Sequence, residues 1–197
     1  MTKKLVLFDF DGTISNRDSM FLFLKYISGW KFPFRFLLFI PQLVKWKLKL
    51  ITTKRAKERL FSLFFGGIKV ENFNNICSGF ASQVLPSVIK PSADLALRNH
   101  LKAGDDVYIV SASLENWLRP WVEKYSQLKL LATQLEEVNG SYTGNIKGEN
   151  CKGAEKVNRI KEVVDLDNYA SIIAYGDSSG DKEMLGIADR TFYRYFK

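Results

Sequence analysis

Three short stretches of the chain are almost wholly apolar and run into polar residues at their carboxyl ends. They are residues 4–10 (Lys-Leu-Val-Leu-Phe-Asp-Phe), Asp106–Ser111 (Asp-Val-Tyr-Ile-Val-Ser) and Ser171–Gly176 (Ser-Ile-Ile-Ala-Tyr-Gly). Continuous runs of this kind suit strands covered on both faces, as in a parallel sheet. Apolar positions recur with helical period over 92–103, 114–125 and 153–164. Strand alternating with helix predicts an α/β fold, a Rossmann-like doubly wound parallel sheet. Asn139-Gly140 lies between two strand-like arms and predicts a β-hairpin over 132–146. Residues 191–196 are expected to add a short edge strand.

Residues 16–86 depart from this pattern. They show no strand period and predict about four helices, broken near Gly29, Pro33, Pro41 and Gly66-Gly67. The expected organisation is a sheet core, residues 1–14 and 87–197, with a helical cap, residues 15–86, inserted after the first strand.

Charge sharpens that division. The net charge is +8, yet Ser15–Lys90 holds thirteen basic and three acidic residues, and the remainder sixteen basic and eighteen acidic. The basicity belongs to the insert. With 46% hydrophobic and 25% charged residues the composition is that of a folded globular chain, without repeats or low-complexity tracts. The first residues meet Asp9 too soon for a signal peptide. Cys77 and Cys151 give neither a disulfide framework nor metal-ligand spacing, so a reducing cytoplasm is the expected compartment. The single histidine, His100, sits among polar neighbours near a helix end and is expected at the helix surface. One histidine excludes mechanisms that need a His pair or a multi-His metal site. The chemistry must run on carboxylates, hydroxyls and lysines.

In open α/β sheets, sites form beyond the carboxyl ends of the strands. Four polar clusters fall there: Asp9-Phe-Asp11-Gly-Thr13, Ser111-Ala-Ser113, the Lys152/Lys156 region, and Gly176-Asp177-Ser-Ser-Gly-Asp181. Carboxylates from two strand ends can hold Mg²⁺, which prefers hard oxygen ligands and shares its shell with phosphate and water. A serine hydroxyl and a lysine ammonium can bind phosphoryl oxygens. A carboxylate nucleophile splits a hard hydrolysis into two easier steps.

In this order and spacing the motifs resemble those of the haloacid dehalogenase-like hydrolase superfamily, over essentially the whole chain. The insert is similar to the cap of the subfamily that contains phosphoserine phosphatase. Ser111–Trp117, Asn150–Lys156 and Tyr175–Ser178 are similar to small phosphatases of that group, some of which resemble phosphatidylglycerophosphatase C. The resemblance implies Asp9 as nucleophile and Asp11 as general acid and base. It implies Ser111 and a motif-three lysine on the phosphate. It also implies Mg²⁺ on the Asp9 carboxylate, the Asp11 backbone carbonyl and Asp177, with Asp181 behind a metal-bound water. Asp11 itself separates phosphatases from dehalogenases, which lack that acid. For the lysine, Val157, Ile160 and Val164 centre the buried helix face. Lys156 lies roughly 70° from that centre and Lys152 roughly 110°. Lys156 is the expected ligand and Lys152 its competitor.

The expected activity is Mg²⁺-dependent hydrolysis of a phosphomonoester through a phospho-aspartate. The same motifs would serve a phosphotransferase. The insert bears on the substrate. Its uncharged stretch Phe36–Val44 is nine residues, short of the roughly 20 that span a bilayer. Phe, Leu and Trp mixed with Lys and Arg suit a helix lying at an anionic membrane surface, or else one that packs the cap with its lysines in water. A lipid phosphate such as phosphatidylglycerophosphate would use that surface; a small soluble, phosphoserine-like ester is the alternative. Asp18 is placed either to meet a substrate amine or to cap a helix starting near Ser19, and Asp181 to cap a helix over 181–187. No nucleic-acid reading motif accompanies the charge, so nucleic acid is not an expected partner. Nothing in the sequence defines an oligomeric interface.

Overall fold

The computed structural model describes residues 3–196. In chain order, β1 (Lys4–Phe8) leads into helices α1 (Ser19–Ser28), α2 (Phe32–Lys47) and α3 (Thr53–Phe65). Then come β2 (Ile68–Lys69), α4 (Val70–Gln83), α5 (Pro91–Lys102), β3 (Asp106–Leu114) and α6 (Glu115–Val122). The hairpin β4 (Leu128–Val138) and β5 (Ser141–Lys147) follows, then α7 (Ala154–Val163), β6 (Ser171–Gly176), α8 (Lys182–Gly186) and β7 (Arg190–Tyr193).

The strands form one seven-stranded sheet in the order β2-β5-β4-β3-β1-β6-β7. From β4 to β7 neighbours run parallel; β5 is antiparallel to β4, and β2 to β5. Alternation within the strands shows why they are apolar throughout. Val6, Phe8, Val107, Ile109, Ile173 and Tyr175 point to one cluster, while Leu5, Leu7, Tyr108, Val110, Ile172 and Ala174 point to the other. Helices α5 and α6 cover the first face, and α7 and α8 the second, which makes the sheet doubly wound. The fold is the expected α/β class.

The helical segment joins the first cluster. Phe23 of α1 stacks on Trp117 of α6 at 4.7 Å and meets Phe73 and Phe80 edge-on. Full burial of such a side chain contributes about 1.5–3 kcal/mol, so the aromatic contacts fix the helices over the strand ends. No described helix is long and apolar enough to cross a membrane.

Several expectations are corrected. Residues 16–86 are not strand-free: β2 pairs with β5 through Ile68–Tyr142 and Lys69–Ser141. Pro41 does not break a helix but lies inside α2 with its ring exposed. Packing of Phe36, Phe39 and Leu43 on either side holds the helix through the lost hydrogen bond. The first hairpin arm starts four residues before 132, where Leu128–Leu131 pair in parallel with β3. His100 is half-buried rather than a plain surface residue, its ring nitrogens 2.8 Å from Asp105 Oδ2 and 3.2 Å from Tyr175 Oη.

Candidate active site

A cleft of about 410 Å³ opens at the carboxyl ends of β1, β3 and β6, lined by Asp9, Asp11, Ser111, Lys156, Asp177 and Asp181 among others. β1 stops at Phe8, and the Asp9 amide still donates to Tyr175 O (2.9 Å), so Asp9 is held in line with the sheet. Gly12 then turns the chain with φ +86°. A Cβ on it would lie 2.2 Å from Asp177 Oδ2, so the Asp-x-Asp-Gly turn needs glycine to let Asp177 approach.

Carboxylate oxygens of Asp9, Asp177 and Asp181 lie within 4.8 Å of one another, the cluster of this kind among the described residues. Lys156, buried near the start of α7, donates to Asp9 Oδ1 and Asp181 Oδ1, both at 2.6 Å. Lys152 is exposed, lies over Gly180 and also lines the cleft, but makes no ion pair with its carboxylates among the described residues. Asp181 Oδ2 accepts from the amides of Asp177 (3.2 Å) and Ser178 (2.9 Å) and closes a capping box with Ser178. Asp181 thus reaches back to Ser178, the cap of the short turn Ser179–Asp181, and faces Lys156 at once; contrary to expectation its side chain makes no capping hydrogen bond to α8. Asp177 Oδ1 is buried without a hydrogen-bond partner. Several hard oxygens around an unpartnered buried carboxylate atom fit a divalent cation.

The charges are unevenly settled. Lys156 holds Asp181 below the usual carboxylate range against the opposing effect of burial. Burial pushes Asp9 up to about 7, although Lys156 pulls it down. The ammonium is itself raised by its two carboxylates despite burial, so one ion pair, Lys156 with Asp181, stays fixed. A cation beside Asp9 would favour its ionised form.

Asp11 points elsewhere. Its Oδ1 accepts from the Ser19 amide (2.7 Å), one of the free N–H groups at the start of α1, and its Oδ2 accepts from Ser113 Oγ. Ser113 Oγ lies 2.9 Å from Ser19 Oγ, which accepts from Trp117 Nε1 at 3.2 Å. An indole N–H only donates, so this run is oriented toward the carboxylate. Burial, then the charge of Asp18, raises Asp11 to about 6, against the hydrogen bonds from Ser113 and Ser19. Asp18 caps α1, its Oδ1 accepting from Phe21 N at 3.1 Å. Ser111, buried at the bulge near the end of β3, accepts from Ser113 N at 3.1 Å and lines the cleft.

Sequence reasoning singled out neither Ser19 nor Lys57. Lys57 of α3 enters the cleft and donates to Ala112 O (2.9 Å) and Asn150 Oδ1 (3.0 Å). Both acceptors are uncharged, and burial lowers the ammonium to about 8. Only its place in a basic helix signalled it. A larger groove, about 740 Å³, runs along α6 and the hairpin, but there Glu115 is taken up by Arg119 and Gln134.

A doubly wound sheet with carboxylates, a serine and a buried lysine at its strand ends points to a hydrolase. The chain belongs to the haloacid dehalogenase-like hydrolase family, whose model matches residues 6–186. It is 35% identical over 196 residues to the protein CicA of Caulobacter vibrioides, covering 98% of this chain and 86% of that one. It superposes on a protein of unknown function from Bordetella pertussis Tohama I with a TM-score of 0.82 at 24% identity, covering 97% and 89%. A substrate-bound phosphoserine phosphatase matches with a TM-score of 0.69 at 18% identity, covering 98% and 86%. These two structures share its fold.

Proposed function

We propose that this phosphatase hydrolyses phosphomonoesters with Mg²⁺ through a phospho-aspartate at Asp9. The observation that carries this is Lys156 set between Asp9 and Asp181, beside the unpartnered Asp177 Oδ1. Asp9 attacks phosphorus as the ester bond breaks, and Asp11 gives its proton to the leaving alkoxide. Asp11 then takes a proton from the water that hydrolyses the acyl phosphate. Ser111 and Lys156 bind the phosphoryl oxygens. Asp9, the Asp11 carbonyl and Asp177 would hold Mg²⁺, with Asp181 orienting the loop behind. The ion, when bound, neutralises charge on the phosphoryl group. Residues 15–86 act as the cap over a core of 1–14 and 87–197. Support comes from Ser19, Met20 and Lys57, which α1 and α3 bring to the cleft.

A lipid phosphate is the preferred substrate class. Asp18 is engaged in capping α1 rather than free for a substrate amine, and Lys57 offers a second cation without an acidic hydrogen-bond partner. Contact of the cap with an anionic membrane belongs to the same reading. Phosphate release from p-nitrophenyl phosphate should require Mg²⁺ and vanish in Asp9→Asn. Acid-quenched wild-type protein should retain labelled phosphate. No Mg²⁺-dependent release, or equal release by Asp9→Asn, would sink the mechanism. Comparing kcat/KM across lipid and soluble phosphomonoesters decides the substrate class, and transfer to an added alcohol in preference to water would identify a phosphotransferase.

A further inference from the structure

Helix α2 is apolar on two opposite sides, and only one is covered. Phe32, Phe36, Phe39 and Leu43 turn inward against the core. Phe34, Leu37, Leu38 and Val44 are exposed. At about 100° per residue these four and Pro41 fall in a stripe roughly 120° wide, facing away from the packed side. The stripe extends beyond the helix, to Trp30 before it (76% exposed) and to Leu48 and Leu50 after it. Of the fifteen exposed large hydrophobic residues described, ten lie between Phe21 and Leu50.

The surrounding charge has one sign. From Ser19 to Lys57 there are nine basic residues and no acidic one. Lys25, Lys31, Lys45, Lys47 and Lys49 are exposed, and none has a salt-bridge partner among the described residues. A second copy on this face would bring two uncompensated basic surfaces together. An anionic bilayer instead offers both hydrocarbon for the stripe and negative charge for the lysines.

We propose that the outer face of α2, with Trp30 and the Leu48–Leu50 loop, docks on the surface of an anionic lipid bilayer. This rests on the membrane contact proposed above and identifies the surface that makes it. The helix, sixteen residues long, lies on the membrane and does not cross it. Its position suits a lipid substrate. Trp46, Lys49, Leu50, Ile51, Thr52 and Thr53 wall a small cavity of about 330 Å³, and Thr53 also lines the catalytic cleft. The docked loop therefore borders the cleft mouth.

The test is co-sedimentation of the full chain with vesicles of phosphatidylcholine alone or mixed with phosphatidylglycerol, at low and high salt. Activity on soluble p-nitrophenyl phosphate is measured in parallel. Binding should require the anionic lipid, weaken with salt, and shift the tryptophan emission to the blue. Lys47→Gln should lower partitioning about fivefold, and Leu37→Glu/Leu38→Glu tenfold or more. Both variants should keep wild-type activity on p-nitrophenyl phosphate, since the altered side chains are exposed. Failure of an active enzyme to sediment with anionic vesicles would overturn the proposal. So would undiminished binding by the double variant, or a dimer that the double variant dissociates while wild type ignores vesicles. Vesicle binding by a protein inactive on p-nitrophenyl phosphate would leave this surface standing and remove the catalytic reading.

Discussion

Replacing Lys156 with methionine tests the charge arrangement at the centre of the site. The ammonium is almost wholly buried and is the salt-bridge partner of both Asp9 and Asp181, each at 2.6 Å. Methionine keeps most of the volume and removes the charge, leaving two buried carboxyls without a cation. Removing one partner from a buried ion pair costs about 3–5 kcal/mol, because the group left behind is uncompensated. The cost should depend on pH, and its sign follows from the carboxyls. In the wild type Asp181 lies below its ordinary range, so it contributes stability that is lost only as pH falls through that low value. Without Lys156 burial drives Asp181 up and Asp9 further above its present value of about 7. A carboxyl raised by folding binds protons in the folded state, so stability falls as pH rises, by at most about 1.4 kcal/mol per pH unit for each group. The deficit should be smallest near pH ~4, where protonation relieves the variant, and widest near pH ~8. Urea unfolding in EDTA across that range measures it. A deficit below about 1 kcal/mol at neutral pH, as for a surface pair, or one that does not change with pH, would refute the reasoning.

Two further outcomes follow from the groups that line the cleft. Burial holds Lys57 near 8, so it is charged below that pH and neutral above it. KM for an anionic ester should rise above that pH in the wild type, and Lys57→Met should raise KM about 10–100-fold at neutral pH and abolish the alkaline rise. Steady-state kinetics against pH separates this from a loss of kcat. Ser113→Ala removes a hydrogen bond that favours ionised Asp11. The Asp11 pKa should rise, and the alkaline fall in kcat that reports its deprotonation should move up by about one pH unit; an unmoved profile would disconnect Ser113 from the acid.

What the sequence made legible follows from which contacts are local. β6 is found with its expected bounds because a strand buried on both faces must be apolar throughout. Leu128–Leu131 escaped because Leu-Lys-Leu-Leu carries no β-branched or turn signal, and β2 because only its pairing with β5 defines it. Lys156 was favoured over Lys152 by the family resemblance and by helix geometry, since the angle around α7 is set by its own apolar residues. The hydrogen bonds of Ser19, Ser113 and Trp117 span more than ninety positions, and no periodicity records which hydroxyl will meet which acid. Lys57 was hidden for the same reason. The α2 segment had two readings, packing and interface; the structure shows one face packed, and the other, exposed and apolar, is the face on which the interface is proposed.

The Asp-x-Asp spacing acquires its meaning from that long-range packing. Phe10 between the acids is fully buried, which fixes the turn and sends its neighbours to different surroundings. Asp9 faces a cation and two further carboxylates delivered by α7 and the loop after β6. Asp11 faces a helix N-terminus and a serine, delivered by α1 and β3. Two residues alike in sequence thereby have unlike surroundings. In the proposed mechanism one is placed where a bound cation would keep it ionised and nucleophilic. The other sits near 6, where it can both release and accept a proton. Since Ser19 belongs to the helical segment and Ser113 to the sheet, the Asp11 environment is complete only when the segment is docked. The proposed proton transfer is thereby tied to the same helices that carry the basic apolar surface.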